Sequence, residues 1–395
     1  MKILVANAGS TSFKYRLFDT AKEEFAAGIS AARGKITNIG YEKSVFAWDH
    51  GTGPKEKNLD RIDYTDAVGA ALGMLREDGF EDPDCVGFKT VHGGRYRGAE
   101  VLTRDVIDEM REHLTVAPAH NRHYITVISV FLEKFPDLPL VGLFEPHFHT
   151  ALPLERRIYG VPYAWYAEHG VEKLGFHGAS HSWVSERMAA LVPDARRVIS
   201  CHLGGSSSIC ALLDGKSVDT SFGFSLQSGI AHSDRCGDLD IFVIRHMKSI
   251  LGISYEEIFE LLCTDGGLRG ISGMEGDMAV IEAEAEAGNE RADLAFRKFV
   301  YDVQRYVGEY LVMLQGIDAI AFTGGIGENS VRVRREVCSC LSFMGLRLDE
   351  KMNESPEREA RITEPGSPVQ AWVIPANEEL VVARETERVL YGTGR

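Results

Sequence analysis

The sequence predicts an α/β protein built from two similar domains, and three observations carry that expectation. Apolar strand patterns alternate with amphipathic helix patterns along the chain. Its 395 residues exceed what one hydrophobic core usually holds. One strand–turn–strand layout also occurs twice, 195 to 196 positions apart. The first copy is Ile3-Leu4-Val5, the turn Asn7-Ala8-Gly9-Ser10-Thr11-Ser12, and a return strand in which Phe13, Tyr15 and Leu17 alternate with Lys14 and Arg16. The second is Val198 to Leu203, Gly204-Gly205-Ser206-Ser207-Ser208, and Ile209 to Leu213. A repeat at half the chain length fits a duplicated domain rather than a solenoid. Two unrelated hairpins are the alternative.

The other elements follow in order. Glu23–Ile29 and Ser44–Trp48 read as strands. Thr65–Glu77 is a helix with Val68, Ala71, Leu72 and Leu75 on one face and Gly79 as its stop. Val86 to Thr90 is a strand that enters the double-glycine turn Val91-His92-Gly93-Gly94. A helix opens at Ala117-Pro118-Ala119-His120-Asn121 and runs to Phe135, and Leu140–Phe144 is a buried strand leading to Glu145-Pro146-His147-Phe148-His149. The aromatic-rich stretch Tyr159–Gly170 reads as a loop where the chain crosses between domains. Phe296, Phe299, Val303, Val307, Tyr310 and Leu314 mark a long amphipathic helix. Ala319–Phe322 is a strand entering Thr323-Gly324-Gly325-Ile326-Gly327-Glu328-Asn329, and Val369–Ile374 is the last strand. Asn377 is placed to cap a final helix with Glu378 and Glu379 in its first turn.

A net charge of −15 excludes a broad nucleic-acid surface. It leaves room for a small anion held by a few cations and a metal ion. The seven cysteines are scattered without a CxxC pair, which fits a reducing cytoplasm and no zinc framework. The apolar start is too short for a signal sequence, and no run reaches the ~20 apolar residues of a membrane span.

Three glycine-rich turns, each after an apolar strand, are the strongest chemical signal. Glycine lets backbone amides approach phosphate oxygens closely. None of the turns is a GxxxxGK[ST] or a GxGxxG fingerprint, so neither a Walker nor a dinucleotide site is expected. Asp219-Thr220-Ser221 and Arg235-Cys236-Gly237-Asp238 place carboxylates and an arginine in Gly/Ser-rich loops. An arginine held there can clamp a transferring phosphoryl group, and a surface ion pair is the alternative. His177 and His181 stand four apart, and His147 and His149 adjoin Glu145. With Gly178 between the first pair and no HExxH glutamate, hydrogen-bonding roles are expected rather than zinc. Mg²⁺ held by few protein oxygens and by phosphates suits the carboxylates better.

Taken together, the motifs resemble the acetate kinase family nearly end to end. They are Asn7 to Lys14, Val91 to Gly94, Gly175-Phe176-His177-Gly178-Ala179-Ser180-His181, His202-Leu203-Gly204, Asp219 to Ser221, Arg235 to Asp238, Phe322 to Asn329 and Pro375-Ala376-Asn377-Glu378-Glu379. The resemblance implies two duplicated actin/hexokinase-like (ribonuclease H-like) domains with a cleft between them. The first would be residues 1–150, with the helix at about 376–395 packed back on it. The second, residues 151–375, would bind nucleotide and form the interface of a homodimer. It implies reversible transfer from ATP to acetate, giving ADP and acetyl phosphate, with no nucleic-acid or membrane partner.

Residue by residue, the resemblance makes Asn7 and Glu378 ligands of Mg²⁺ (or Mn²⁺), and Ser10, Ser12 and Lys14 phosphate contacts. Glu145, His177 and Arg235 would be catalytic. His202, Leu203, Gly204, Gly205, Ser206, Asp277, Gly325, Ile326, Gly327, Glu328 and Asn329 would bind ATP or ADP. Lys89, Val91, Ala119, Phe176 and Leu226 would hold the carboxylate substrate. Two of the charged positions depart from the family pattern. Lys89 stands where the family has an arginine, losing a planar fork, with Arg95 or Arg97 as candidates to restore the grip. Glu145 stands where the family has an aspartate, one methylene shorter. Gly205 replaces an asparagine, and Ala119 and Leu226 replace a leucine and a proline. Propionate, butyrate or a pyrophosphate donor stay open, as does a non-catalytic nucleotide-binding relative. Such a relative has no need of Asn7, His177, Arg235 and Glu378 together.

Overall fold

The computed structural model describes residues 1–114, 118–356 and 358–392, with main chain alone at 118–120. They form two compact units, Met1–Thr150 with Asn377 onward, and Ala151–Ala376.

The first unit holds an eight-stranded sheet: β1 (Lys2–Ala8), β2 (Ser12–Asp19), β3 (Ala32–Thr37), β4 (Lys43–Asp49), β5 (Lys55–Asp60), β6 (Cys85–Thr90), β7 (Ala99–Val101) and β8 (Leu140–Phe144). Their spatial order is β5-β4-β3-β2-β1-β6-β8-β7. β1, β6 and β8 are parallel to one another, and the hairpin strands are antiparallel. The parallel strands are apolar throughout because helices cover both of their faces. On one face Phe88 of β6 meets Phe131 of the helix Pro118–Lys134, ring centroids 5.6 Å apart. On the other lies the final helix, Glu378–Tyr391. It comes so near that a Cβ on Gly87 would fall 2.5 Å from Thr386 Oγ1, so only glycine fits there. The helix Tyr64–Glu77 is started by a capping box from Asp63.

The second unit holds β9 (Arg197–His202), β10 (Ser208–Leu213), β11 (Lys216–Thr220), β12 (Ala319–Thr323), β13 (Ala360–Arg361) and β14 (Gln370–Val373), in the order β11-β10-β9-β12-β14-β13. Here β9, β12 and β14 are parallel, and β10 is antiparallel to β9 and β11. The order and strand senses of β11-β10-β9-β12-β14 match β3-β2-β1-β6-β8. The echo seen at residue 200 is therefore a repeated topology. The long helix Glu290–Met313, capped by Asn289, buries Phe296, Phe299, Val303, Val307 and Tyr310. They share one core with Ile199, Ile209, Ile320 and Phe322 of the sheet.

Several local expectations need correction. Glu23–Ile29 is not a strand: Glu23–Ala26 form a helical turn that ends at Gly28 (φ +74°), and the next strand starts at Ala32. Exposed acids at 23 and 24 have no place on a buried sheet face. The aromatic stretch contains a helix, Tyr163–His169, entered from Pro162 and stopped by Gly170 at φ +63°. Gly324–Asn329, read as a glycine-rich turn, forms a short helix. Asn377 occupies the cap position of the last helix without capping it; its amide donates to the Gly28 carbonyl instead, at 3.2 Å.

Candidate active site

In parallel α/β sheets ligands gather at the carboxyl ends of the strands, and the first unit collects its charged groups there. Asn7 lies near the end of β1, Lys89 near the end of β6, and Glu145 directly after β8. Glu378 is the first residue of the final helix. Lys89 Nζ stands 2.8 Å from Glu378 Oε2 and 3.1 Å from Glu145 Oε1, bridging both acids. Burial opposes the ammonium form, but the two facing carboxylates outweigh it and hold the Lys89 pKa well above its ordinary value. The Tyr124 hydroxyl donates to Asn7 Oδ1 at 2.8 Å, and burial raises its own pKa. Ser10, Ser12 and Lys14 lie in and just after the turn, which is closed by the Gly9 N–H donating to Ser12 O at 2.8 Å. The Tyr64 hydroxyl holds it by donating to Gly9 O.

Beyond β6, Val91 is buried, and Asn121 clasps His92 with both ends of its amide, at 3.2 and 2.8 Å. Both following glycines are sterically required. A Cβ on Gly93 would meet the Phe144 ring at 2.5 Å, and Gly94 has φ +60°. Arg95 does not reinforce Lys89: it is exposed, paired with Glu109 at 3.5 Å and laid over Tyr96. The Ala119 side chain lies outside the described residues.

In the second unit His177 adopts the left-handed region (φ +57°) at the start of the helix Gly178–Leu191. A non-glycine residue is held there only by its surroundings. Its Nδ1 pairs with Ser208 Oγ at 2.8 Å, its ring lies 4.2 Å from that of His202, and it packs edge-on against Phe222. His181 pairs with Ser200 and Ser208 through its two ring nitrogens, and His202 Nδ1 with Ser180, so these histidines take the hydrogen-bonding roles expected of them. Phe176 is buried edge-to-face against Phe222, and Leu226 is buried in the following loop. Phe222 in turn stacks on His232 at 5.3 Å.

Arg235 sits just beyond His232, whose backbone N–H donates to the Arg235 carbonyl at 3.0 Å. Its side chain is buried, and its Nη1 has no hydrogen-bond partner among the described residues. Its nearest acid, the exposed Asp234, is 3.9 Å away, and burial lowers its pKa. Asp238 fixes the loop by accepting from Gly229 N (2.7 Å) and the Tyr306 hydroxyl (2.6 Å). Asp219 pairs with Lys173 at 2.6 Å. Arg235 is thus a desolvated cation with a donor left over, an arrangement suited to an anion.

A cavity of about 410 Å³ opens beside the second hairpin. Gly204, Gly205, Asp277, Gly325, Ile326 and Asn329 all line it. The Leu203 carbonyl accepts from Ile326 N and Gly327 N, tying hairpin to helical turn. Gly324 has φ +78°, and a Cβ there would lie 2.7 Å from Leu203 O, so the close approach requires glycine. Glu328 Oε1 accepts from Gly324 N and Ala376 N, and Asp277 caps the helix Met278–Glu286. Ser206 Oγ and Thr323 Oγ1 are buried without partners among the described residues. Sequence reasoning missed Ser233, Met278, Ala279, Glu282 and Ser330 of the lining. Ser330 donates to Glu282 at 2.6 Å across 48 residues, a pairing no local pattern announces.

Among the described residues no group of three or more His, Cys, Asp or Glu could hold a metal ion. Asn7 and Glu378 offer an amide and a carboxylate oxygen at the same strand ends. Hard oxygens in that small number suit Mg²⁺, which keeps its waters and takes phosphate oxygens for the rest.

A family model described as the Acetokinase family matches residues 2–384. An acetate kinase of Halothermothrix orenii is 36% identical over 401 residues, covering 99% of this chain and 100% of its own. Among solved structures, an acetate kinase of Porphyromonas gingivalis has a TM-score of 0.88 at 33% identity, covering 98% of this chain and 99% of its own. A propionate kinase from Francisella tularensis has a TM-score of 0.90 at 32% identity, covering 97% and 98%. With a full-length match at this identity, the chain belongs to the acetokinase family.

Proposed function

We propose that the chain transfers the γ-phosphoryl group of ATP to a short-chain carboxylate, acetate in the simplest case, and runs the reaction in both directions. The observation that carries this reading is Arg235: a buried guanidinium with an unused donor, in the same unit as a glycine-walled cavity of nucleotide size. The carboxylate is already ionised at neutral pH, so no strong base is needed. One of its oxygens attacks the γ-phosphorus in line, forming the new O–P bond. The bond to the β,γ-bridging oxygen breaks, and ADP leaves with that electron pair. Arg235 and His177 stabilise charge on the transferring group, and Lys89 presents a positive charge to the acyl carboxylate. Glu145 holds that ammonium in place. Mg²⁺ would be held by Asn7 and Glu378 and would neutralise phosphate charge when bound.

A homodimer is part of the reading. Ile241, Phe242, Ile250, Leu251, Tyr255 and Phe259 are exposed on two consecutive helices, Phe242–Leu251 and Tyr255–Thr264. An apolar patch of this kind suits a second copy of the chain. The seven unpaired cysteines suit a reducing cytoplasm. Among the described residues no helix is long and apolar enough to cross a membrane.

Hydroxylamine trapping of acyl phosphate tests the reaction, with acetate, propionate and butyrate each paired with ATP or pyrophosphate. Hydroxamate from acetate and ATP is expected. No product from any pairing, with ADP binding intact, would replace the enzyme by a nucleotide-binding relative.

A further inference from the structure

The final helix covers β1, β6 and β8 but leaves the same face of β2 to β5 open, and cations are concentrated on that open face. In the β2–β3 register Lys14 stands directly opposite Lys35, and Arg16 directly opposite Arg33. Residues two apart share a face, so the four form a square of like charges. Cross-strand partners lie about 5 Å apart, and like charges so placed repel. In a chain of net charge −15 this arrangement runs against the overall field. Neighbouring acids relieve only half of it. Arg16 lies 3.9 Å from Glu379 and Arg33 3.2 Å from Asp49, while Lys14 and Lys35 have no ion-pair partner among the described residues.

The square floors a cavity of about 400 Å³. Ala47 and Asp49 stand at its wall, and Asn7 borders one end. Four cations thus face two carboxylates, Asp49 and Glu379, across one concave surface. A single carboxylate or phosphate meets one corner of the square. A short chain of phosphate groups presents several anionic oxygens and meets all four, with the two guanidinium groups offering paired donors. We propose that this face of the first unit binds a compact oligophosphate, inorganic or borne by a nucleotide, through Arg16, Arg33 and Lys35 beside Lys14, which the resemblance already gives as a phosphate contact.

The test is calorimetric titration of tripolyphosphate into the full-length protein saturated with ADP, beside an Arg33→Ser/Lys35→Ser variant. Neither residue belongs to the proposed reaction. Tripolyphosphate should bind the unaltered protein and raise its Tm. The double variant should bind it at least about tenfold more weakly, keep its ADP affinity, and without ligand melt no lower than the unaltered protein. Loss of one bidentate guanidinium contact alone accounts for a change of that size. If the double variant does not fold, Lys35→Ser alone should show the same loss in smaller measure. Absence of binding to the unaltered protein, or equal binding by the double variant, overturns the proposal. ATP in place of tripolyphosphate tells the sources apart: an extra ATP-binding event lost in the variant assigns the nucleotide-borne chain.

Discussion

Lys89 makes two short contacts with acids that lie 56 and 289 positions away in sequence. Neither acid is tolerable beside the other without the ammonium between them, since two facing carboxylates would be half-buried and repelling. Lys89→Met should therefore destabilise the protein by roughly 3 kcal/mol, the usual scale for removing one member of a buried ion cluster. Lys89→Arg should lose far less. Urea unfolding of the two variants checks this, and equal midpoints for Met and Arg would show that the charge does nothing. The sequence marks Lys89 and Glu145 as unusual for the family, but not their pairing with Glu378. Contacts across hundreds of residues leave no periodic trace. Arg235 shows the same limit: its motif is visible, whereas its burial and its unpartnered Nη1 are set by the fold around it.

At the scale of elements, the paired hairpins were legible because strand–turn–strand units have a strong local signature, and the duplicated strand order follows from them. The helical turn Gly324–Asn329 was not, since glycines at 324, 325 and 327 read as a tight turn. Its glycines have different jobs. Gly324→Ala should cost about 1–3 kcal/mol, because it forces a side chain into a left-handed backbone against Leu203 O. Gly325 has open space around its missing side chain and lines the cavity. Gly325→Ala should leave stability within about 0.5 kcal/mol yet weaken ADP binding. Thermal melts and calorimetry with ADP separate the two. The exposed apolar pair of helices was equally hidden, because an amphipathic pattern does not say whether its apolar side meets the core or another chain. Phe242→Asp/Ile250→Asp should turn a dimer into a monomer of unchanged fold in analytical ultracentrifugation. An unchanged sedimentation coefficient would move the interface elsewhere.

For the molecule as a whole, acid stability follows from its buried histidines. Burial, with Arg235 nearby, pushes His232 down to about 3; its Nδ1 accepts from Ser207 N and its Nε2 faces Ser228 O, as a neutral ring does. Burial lowers His92 and His147 to about 4. Unfolded, each titrates near 6.5 and takes up a proton the folded chain refuses. Stability is therefore full above about pH 6.5 and falls as pH drops towards about 3, by up to ~1.4 kcal/mol per pH unit for each ring inside its window. Urea midpoints between pH 7 and 4 should show that slope, and His232→Gln should flatten it by about one proton. A slope unaltered by that substitution would place the acid sensitivity elsewhere.

The account rests on direct transfer to a carboxylate oxygen, and oxygen labelling reads that step itself. Acetate carrying ¹⁸O in its carboxylate, incubated with ATP, Mg²⁺ and the protein, should yield acetyl phosphate whose ³¹P resonance carries the isotope shift of a single ¹⁸O bonded to phosphorus. Acetyl phosphate without that shift, or none formed while ADP still binds, would contradict it.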